Sequence, residues 1–588
     1  MRYLSGRLFL LSVIVISLLT GCVTHMAPDT ASVVLRGGAV YAMDGHGNKA
    51  TAIALRADRI LYVGSDDQAA AYIGDQTKIL ELDGKMVLPG FIDGHAHPPG
   101  RELAALNTLV LNALEPNLSV YRKAIKDYSN SRPDMPILFG SGLQLNAFTD
   151  DTLSKKFLDN IVSDRPVLIK DSSFHGELVN SIALEMSGIT KETSDPPGGK
   201  IYRDEYGEPT GYLSDAGTLL HPDLQRGPEV SHEMYLRAWR QYEDVSLAKG
   251  ITAVTNALPQ ALPSPVVWQL LDEHIKSGNA RMRVNVLSKT NANHSSEATI
   301  KELRNGQQFV SDWQMVRGVK IVLDGVPEGK SAYLLQPYAP SAELPANDRG
   351  TPMWEKESFN EYIADLDAAG FQVQTHSMGD ASVRMFVDAV ENAYMRNSAR
   401  DARHTVIHAN LIDPADIERM AKMDIYAAMS PIWSYGEPVF SALELQMLGK
   451  KRFDQEYALR DMAQAGIRMT GSADQPVTPD DRPLFGIETG VTRGSPYVGE
   501  QNDPRFFRGQ SQSLSVAEML EMYTINGARQ MFMDDLIGSL EPGKKADLVI
   551  LERDITQIDP VDISETRIVA TIVNGETVYS NNELFDVH

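Results

Sequence analysis

Eight short apolar runs alternate with helix-like segments along this chain, and this alternation constrains the fold more than any other feature of the sequence. Strands that alternate with amphipathic helices are typical of a parallel α/β architecture. Eight such units predict a closed (β/α)8 barrel of the TIM type, with the strands inside a ring of helices. The runs are Phe91 to His95, Ile251 to Asn256, Arg283 to Leu287, Val319 to Leu323, Phe371 to His376, Thr405 to His408, Ile425 to Ser430 and Ile467 to Thr470.

Two further parts flank or interrupt the predicted barrel, which we assign to residues 89–535. Residues 33–88 and 536–588 both contain short strand-like runs, so we expect the two termini to build one small β-sandwich domain together. The stretch between the first two barrel strands is far longer than the others, which predicts an inserted subdomain at about 100–245. A loop after a barrel's first strand emerges on the catalytic face, so the insertion should lie over the barrel mouth.

The N-terminus has the pattern of an export signal. Arg2 and Arg7 precede an apolar run from Leu8 to Leu19 that is too short to span a bilayer, and the segment 19–22 resembles the bacterial lipobox. By that resemblance, residues 1–21 are a signal peptide, Cys22 is the lipidated first residue of the mature chain, and 22–32 is a tether. An ordinary secretory signal is the alternative. We expect a lipid-anchored protein on the exported side of a bacterial membrane, in the periplasm or at the cell surface.

Composition excludes one class of partner and one kind of covalent link. The 588-residue chain has a formal net charge of −23, whereas a nucleic-acid-binding surface must be basic. Cys22 is the single cysteine, so no intramolecular disulfide can form. We therefore expect a small-molecule substrate, no nucleic acid, and membrane contact only through the lipid anchor; whether the chain forms a homo-oligomer is left open.

Histidines at the ends of the predicted strands indicate a metal site. His95 and His97 are two residues apart in an extended segment, so their side chains project from the same face and can bind one cation. A lone His-x-His pair is weak evidence, since such pairs also occur on surfaces or in hydrogen-bonded cores. However, other polar residues also lie on or just after predicted strands, where a barrel would direct them to one centre: Lys320, His376, His408 and Asp474.

Each of these residues also has a structural interpretation. His376 and His408 could be hydrogen-bonded core histidines, Lys320 could pair with Asp324, and Asp474 could be a turn residue before Pro476. His404 is left without an assigned role.

Three phrases give the chain a specific resemblance to a known family. They are Leu88 to His97 (LPGFIDGHAH), Tyr523 to Arg529 (YTINGAR) and Ile537 to Leu548 (IGSLEPGKKADL). With these phrases, the chain resembles the amidohydrolase superfamily, and particularly its family 3 (YtcJ-like) branch. The resemblance covers nearly everything after the signal. It implies the TIM-like barrel and a closing strand that joins the tail to the N-terminal β domain, but it says little about the substrate.

The resemblance also implies a set of metal ligands. His95 and His97 would bind a first divalent metal and His376 and His408 a second, and Zn²⁺ is the expected ion because it suits imidazole ligands. Lys320 would bridge the two after carbamylation, because an unmodified lysine offers only a cationic ammonium. Some relatives use another bridging residue or bind one ion only. Asp474 would bind metal and transfer the proton, and a bound Zn²⁺ lowers the pKa of its water to about 7.

The resemblance leads to a predicted activity and to one alternative. We expect a metal-dependent hydrolase that cleaves a non-peptide carbon–nitrogen bond, in an amide or cyclic amide, with a metal-activated hydroxide. His175, in the insertion, also matches a family pattern over the site and is assigned a substrate-binding or transition-state role, against the alternative of a solvated loop histidine. Ile407 and Asn256 depart from the family pattern. They motivate the alternative that the chain is a non-catalytic or regulatory substrate-binding lipoprotein.

Overall fold

The structure is a computed structural model that describes residues 30–47, 49–111, 117–149, 152–257, 261–342, 344–478 and 480–581. Cys22 and the apolar run from Leu8 to Leu19 lie outside these residues, so the predictions about export and lipidation are not addressed by it. Within the described ranges, none of the helices combines the length and the apolarity that a bilayer crossing needs.

The N-terminal part is built from short strands. Strands β1, β4, β5 and β6 form a sheet in the order β5-β4-β1-β6, while β2, β3 and β7 belong to a second sheet. Their bounds are β1 Val33–Arg36, β2 Ala39–Tyr41, β3 Lys49–Ala50, β4 Ala52–Arg56, β5 Arg59–Gly64, helix α1 Asp66–Ala69, β6 Lys78–Glu81 and β7 Met86–Pro89.

The chain then forms one strand of the α/β region and leaves it for a separate sheet. This inserted sheet has the order β13-β14-β12-β11-β10-β9 and packs its own apolar clusters, which include Tyr121, Leu138 and Leu213. The elements are β8 Phe91–Ala96, α2 Gly100–Asn107, β9 Leu109–Val110, α3 Leu118–Asn130, β10 Leu138–Leu143, α4 Lys155–Asp159, β11 Val167–Asp171, β12 Gly176–Val179, α5 Ser181–Ser187, β13 Lys200–Arg203, β14 Pro209–Ser214 and α6 Pro222–Arg226.

The central part of the chain alternates strands and helices, and each of the eight runs expected from the sequence overlaps a strand. The strands are parallel and buried on both faces, which explains why they read as nearly continuous apolar runs. The first half comprises α7 His232–Leu247, β15 Ile251–Asn256, α8 Ser264–Lys276, β16 Arg283–Val286, β17 Ser288–Lys289, α9 Ser296–Gly306, β18 Gln314–Met315, β19 Gly318–Val322 and α10 Lys356–Ala368.

The second half continues the same pattern. Hydrogen bonding defines two sheets, β18-β16-β15-β8 and β17-β19-β20-β21-β22-β23. The elements are β20 Gln372–Ser377, α11 Asp380–Asn397, β21 Thr405–His408, α12 Pro414–Lys422, β22 Tyr426–Met429, α13 Pro438–Leu448, α14 Lys450–Phe453, α15 Leu459–Gln464, β23 Met469–Gly471, α16 Pro483–Thr492, α17 Val516–Met522 and α18 Ile525–Gln530.

The C-terminal strands return to the N-terminal ones. Strand β24 (Leu548–Leu551) pairs antiparallel with β7, and with β25 (Ile568–Val573) and β26 (Glu576–Ser580) it completes the sheet β26-β25-β24-β7-β2-β3. Leu35 and Ile53 of the first sheet share one apolar cluster with Ile550 and Ile572 of this one. The two ends of the chain therefore bury each other's apolar side chains.

Two helices show how local sequence and packing position the elements. Ser515 and Glu518 form a capping box at the start of α17, with both reciprocal hydrogen bonds present. Helix α7 lies at the end of the expected inserted segment, about 100–245. Tyr235, Trp239 and Tyr242 of α7 lie in the same apolar cluster as β15 and the other α/β strands, because α7 packs its apolar face against them.

Candidate metal centre

The carboxylate of Asp474 is the focus of the site. Asp474 follows β23, is 5% exposed, and adopts a left-handed backbone conformation with φ of 54°. Its Oδ1 lies 3.1 Å from His95 Nε2 and 3.0 Å from His97 Nε2, while Oδ2 lies 3.9 Å from His408 Nε2. Burial alone would raise the pKa of Asp474, but His95 and His97 hold that pKa well below its ordinary value. The carboxylate is therefore ionised at neutral pH.

His95 and His97 are positioned by the end of β8. The carboxylate of Asp93 accepts a hydrogen bond from the His95 backbone N–H at 3.0 Å, and the His97 backbone N–H donates to the Gln475 carbonyl at 2.8 Å. Because His95 and His97 are two residues apart in an extended segment, their imidazoles lie on the same face and both approach Asp474 Oδ1. Burial lowers the pKa of His95 to about 3, so its imidazole is neutral at physiological pH.

These residues fit a divalent cation. Among the described residues, Asp474 Oδ1 has no partner with hydrogen-bond geometry, although two imidazole nitrogens lie within 3.1 Å of it. Ligands of a tetrahedral site with bonds of 2.0–2.1 Å lie about 3.3 Å apart, which is close to these separations. Ligand atoms of His95, His408 and Asp474 all lie within 4.8 Å of one another. Neutral imidazoles with one carboxylate are a donor set that suits Zn²⁺.

His376 and His408 extend the cluster from the neighbouring strands β20 and β21. In the β20–β21 register, Ser377 is opposite His408, and the ring centroids of His376 and His408 are 4.7 Å apart. The ring of His408 also lies 5.1 Å from that of His95 and stacks on Trp433 at 5.2 Å. Burial is the largest of the causes that hold the pKa values of both histidines well below the ordinary value.

Lys320 joins the cluster from β19. It is 2% exposed, and its Nζ lies 3.4 Å from His95 Nε2. Burial lowers its pKa to about 7. The alternative that Lys320 pairs with Asp324 is wrong, because the Asp324 oxygens accept backbone hydrogen bonds instead. Their donors are the N–H groups of Tyr333, Met378 and Gly379, at 2.8, 3.0 and 2.9 Å.

His175 reaches the same centre from the inserted sheet. It lies in the turn between β11 and β12, and its ring centroid is 4.7 Å from that of His376. Its Nδ1 is 2.6 Å from Asp215 Oδ1, and Ser331 donates a hydrogen bond to the other Asp215 oxygen at 2.6 Å. Burial would lower the pKa of His175, but the neighbouring Asp215 raises it to about 9. His175 is thus a paired histidine against the cluster, and not a solvated loop residue.

Asp215, Ser331 and Trp433 were missed by the sequence reasoning. Asp215 comes directly after strand β14, and a polar residue at a strand end is the one signal that could have drawn attention to it. Ser331 and Trp433 lie in loop or 3₁₀ segments with no distinguishing pattern.

Three other residues that the sequence singled out are fully buried. His404 is fully buried, with Nε2 3.2 Å from Asp367 Oδ1, so it is a core histidine outside the cluster. Asn256 donates a hydrogen bond to the Pro98 carbonyl at 2.9 Å, beside the His95–His97 segment. Ile407 is fully buried in β21.

Comparison with known proteins gives matches along nearly the whole described chain. The sequence pattern of the amidohydrolase family matches residues 78–579. Putative amidohydrolase YtcJ of Bacillus subtilis (strain 168) is 29% identical over 552 residues, which are 93% of this chain and 99% of that protein. N-substituted formamide deformylase of Arthrobacter pascens is 25% identical over 570 residues, 92% of this chain and 97% of that protein.

One solved structure has a fold similar to that of this chain. An uncharacterized metal-dependent hydrolase from Pyrococcus horikoshii OT3 superposes with a TM-score of 0.66 at 21% identity, covering 90% of this chain and 99% of that one.

Proposed function

Because this chain belongs to the amidohydrolase family, we propose that it is a metal-dependent hydrolase that cleaves a non-peptide carbon–nitrogen bond in an amide or cyclic amide. The observation that carries the proposal is the approach of His95 Nε2 and His97 Nε2 to one oxygen of Asp474, at 3.1 and 3.0 Å, with His408 beside them. Such a cluster of buried imidazoles around one carboxylate suits a cation better than it suits a core. The similarity to a formamide deformylase supports small amides as the substrate class.

The proposed cofactor is one or two divalent cations, with Zn²⁺ the best match to the donors. His95, His97 and Asp474 would hold the first ion, and His376 with His408 the second. Lys320, whose Nζ lies 3.4 Å from His95 Nε2, would bridge them as a carbamate. When bound, a divalent cation supplies a Lewis acid for the substrate carbonyl and lowers the pKa of a water molecule.

The chain's own residues would handle the proton and the substrate. Asp474 is ionised, so it can accept the proton of the attacking water and later deliver it to the leaving nitrogen. Asp215 holds Nδ1 of His175, which leaves the other ring nitrogen available as a hydrogen-bond donor to the substrate oxygen. The inserted sheet carries His175 to the site and would exclude bulk water from that side.

We also propose that the two parallel sheets are halves of one closed (β/α)8 barrel. Strands β16 and β17 are separated only by Leu287, so the third strand of the barrel pairs with neighbours in both sheets. At the other seam, a Cβ on Gly94 of β8 would lie 2.3 Å from Thr470 Oγ1 of β23, which shows how closely these strands approach. The two terminal sheets share one apolar cluster and would form the β-sandwich.

For location, we propose a lipid anchor at Cys22 and a catalytic domain on the exported side of the membrane. The support is the sequence of the first 22 residues, in which basic, apolar and small residues follow in the order of a lipoprotein signal. A small-molecule substrate would then be met outside the cytoplasm.

Metal analysis combined with a substrate panel tests the proposed activity. The purified protein should contain metal in stoichiometric amount and hydrolyse at least one member of a panel of N-acyl amino acids and N-substituted formamides. His97→Asn should lose metal and turnover, while His232→Asn, at the exposed start of α7, should retain both. Protein that binds no metal would contradict the hydrolase proposal and favour the non-catalytic, substrate-binding lipoprotein.

A further inference from the structure

His408 reaches the histidine cluster from a strained stretch of backbone. It ends β21 with φ of 74°, and Ala409 follows with φ of 40°. Left-handed conformations are uncommon for residues with a bulky side chain, and they persist only where the surrounding structure holds them. Here the Ala409 N–H donates to the Ser377 carbonyl at 3.1 Å. The Asn410 carbonyl accepts a hydrogen bond from the Tyr457 N–H at 3.0 Å. The backbone at His408 is therefore held in place by hydrogen bonds.

The side chain of His408 is not fixed in the same way. Its Nε2 lies 3.9 Å from Asp474 Oδ2, and its buried Nδ1 has no hydrogen-bond partner among the described residues. A histidine that binds metal usually donates its second ring N–H to an acceptor, and that bond sets the orientation of the ring. Since the described residues offer His408 no such acceptor, the orientation of its imidazole depends on packing.

Trp433 packs face to face on the His408 ring. The two ring centroids are 5.2 Å apart, and the ring planes are inclined by 22°. The rings of His95 and His376 meet His408 edge to face instead, at 5.1 Å and 88° and at 4.7 Å and 74°. Both of these are predicted metal ligands, whereas an indole offers no ligand atom to a metal. The contact of Trp433 therefore acts on the position of the His408 imidazole and not on the metal directly.

Trp433 is itself fixed by a hydrogen bond. It lies in the short 3₁₀ segment Pro431–Ser434 that follows β22, and its Nε1–H donates to Thr478 Oγ1 at 2.8 Å. Thr478 is 5% exposed and comes shortly after Asp474 in the chain. The Thr478 carbonyl accepts a hydrogen bond from Arg101 Nη2 at 2.8 Å. The indole therefore connects the histidine at the end of β21 with the segment that carries the Asp474 carboxylate.

We propose that Trp433 is a positioning residue, which holds the His408 imidazole by stacking in the orientation in which Nε2 can bind metal. The inference rests on the proposed function for the assignment of His408 as a ligand. Offset-stacked rings attract each other at centroid separations of about 4.5–7 Å, which includes the observed distance. A bound cation withdraws electron density from the imidazole, so the electron-rich indole face should attract the metal-bound ring more strongly than the free ring.

Metal titration of site variants tests the proposal. His408→Asn first identifies the binding step that uses His408, as the step whose affinity for Zn²⁺ it weakens most. Trp433→Leu should weaken the same step by about 10- to 100-fold, the range observed when the outer partner of a metal-binding histidine is removed. The affinities are measured by competition with a chromophoric chelator, on purified protein whose metal has first been removed, so no turnover is required.

Two further variants separate positioning from a merely structural effect. Trp433→Phe keeps an aromatic face against His408 and loses only the hydrogen bond to Thr478, so it should retain the affinity to within about threefold. Trp313→Leu removes an indole whose ring centroid lies 4.5 Å from Cζ of Arg283, outside the histidine cluster. It should leave the affinity unchanged even where it lowers the melting temperature.

The visible absorption of bound Co²⁺ gives a second measurement, because it reports the geometry of the ligands around the ion. Trp433→Leu should alter the absorption of the ion that uses His408, whereas Trp433→Phe and Trp313→Leu should not. Circular dichroism verifies that each variant is folded. Trp433→Met, which fills more of the vacated space, replaces Trp433→Leu if the latter does not fold.

An affinity within about threefold of the wild type in folded Trp433→Leu would overturn the inference. An equal loss in Trp433→Phe would overturn the role of stacking, and a His408→Asn variant that weakens no binding step would remove His408 as a ligand. The outcome is separable from that of the proposed function. A protein in which Trp433→Leu weakens metal binding, but which hydrolyses no amide, would retain the inference and refute the hydrolase. An active enzyme with unchanged metal binding in Trp433→Leu would refute the inference alone, and a protein that binds no metal would refute both.

Discussion

The buried ion pair between Arg283 and Asp547 joins the α/β region to the C-terminal strands, and its removal should destabilise the protein measurably. Arg283 lies on β16 and Asp547 directly precedes β24. Arg283 Nε and Nη2 donate to the two carboxylate oxygens at 2.6 and 3.0 Å, Nη2 also donates to Asn574 at 2.6 Å, and Nη1 donates to the Asp312 carbonyl at 2.7 Å. Both side chains are 2% exposed or less.

The magnitude follows from what each substitution leaves behind. Arg283→Met keeps the side-chain length, but among the described residues it leaves the buried Asp547 carboxylate only the Asn574 backbone N–H, at 2.9 Å, as a hydrogen-bond donor. Removing one partner of a buried ion pair lowers the free energy of unfolding by about 3–5 kcal/mol, because an uncompensated charge remains. Unfolding entropy of about 2.1 cal/mol/K per residue gives about 1.2 kcal/mol/K for a chain of this length, so the melting temperature should fall by about 3–4 °C if the chain unfolds as one unit.

A double-mutant cycle separates the pair from its surroundings. Arg283→Met, Asp547→Asn and the double variant are compared by differential scanning calorimetry and by urea unfolding. Each single variant should be destabilised, and the double variant should lose clearly less than the sum of the two, because neither charge is then left alone. The claim that this pair stabilises the attachment of the C-terminal strands would be refuted by strictly additive effects. Single variants whose free energy of unfolding lies within about 0.5 kcal/mol of the wild type would refute it as well.

Four other predictions can be checked separately. Asp474→Asn should lower bound metal and reduce kcat by about 10²- to 10⁴-fold; wild-type metal content and turnover would remove Asp474 from the site. Lys320→Ala should lose metal, partly restored by added acetate, and a crystal structure with unmodified Lys320 in a fully metallated site would contradict the carbamate. Burial raises the pKa of Glu488 to about 7, above its unfolded value, so its contribution to stability is present at low pH and is lost as the pH rises through about 7. Glu488→Gln can still accept the Ser564 backbone hydrogen bond and should raise the melting temperature at about pH 8 but not at about pH 5, so that equal shifts at both pH values would argue against the raised pKa. Cys22→Ser should leave the membrane fraction after a high-salt wash, and a variant that stays bound would exclude the lipid anchor.

Local patterns in the sequence were sufficient to predict the strands and the shared face of His95 and His97. Strand β8 illustrates the reason: alternation of side chains in an extended segment is a local property, so His95 and His97 had to share a face wherever the strand lay. Likewise the apolar run Val549 to Leu551 had to be buried, and it lies in β24. Helix α7 has an amphipathic pattern that fits either the inserted sheet or the α/β region, and only packing assigned it.

Only the tertiary structure decided which polar groups meet, because those contacts join residues far apart in the chain. Lys320 lies beside His95, 225 residues away, whereas Asp324, four residues from it, binds backbone N–H groups instead. His175 pairs with Asp215, which is 40 residues away in the chain. Nothing in the local sequence distinguishes such a pair from a solvated histidine and a turn aspartate. Their partners, and with them their pKa values, are set by the sheet that brings them together.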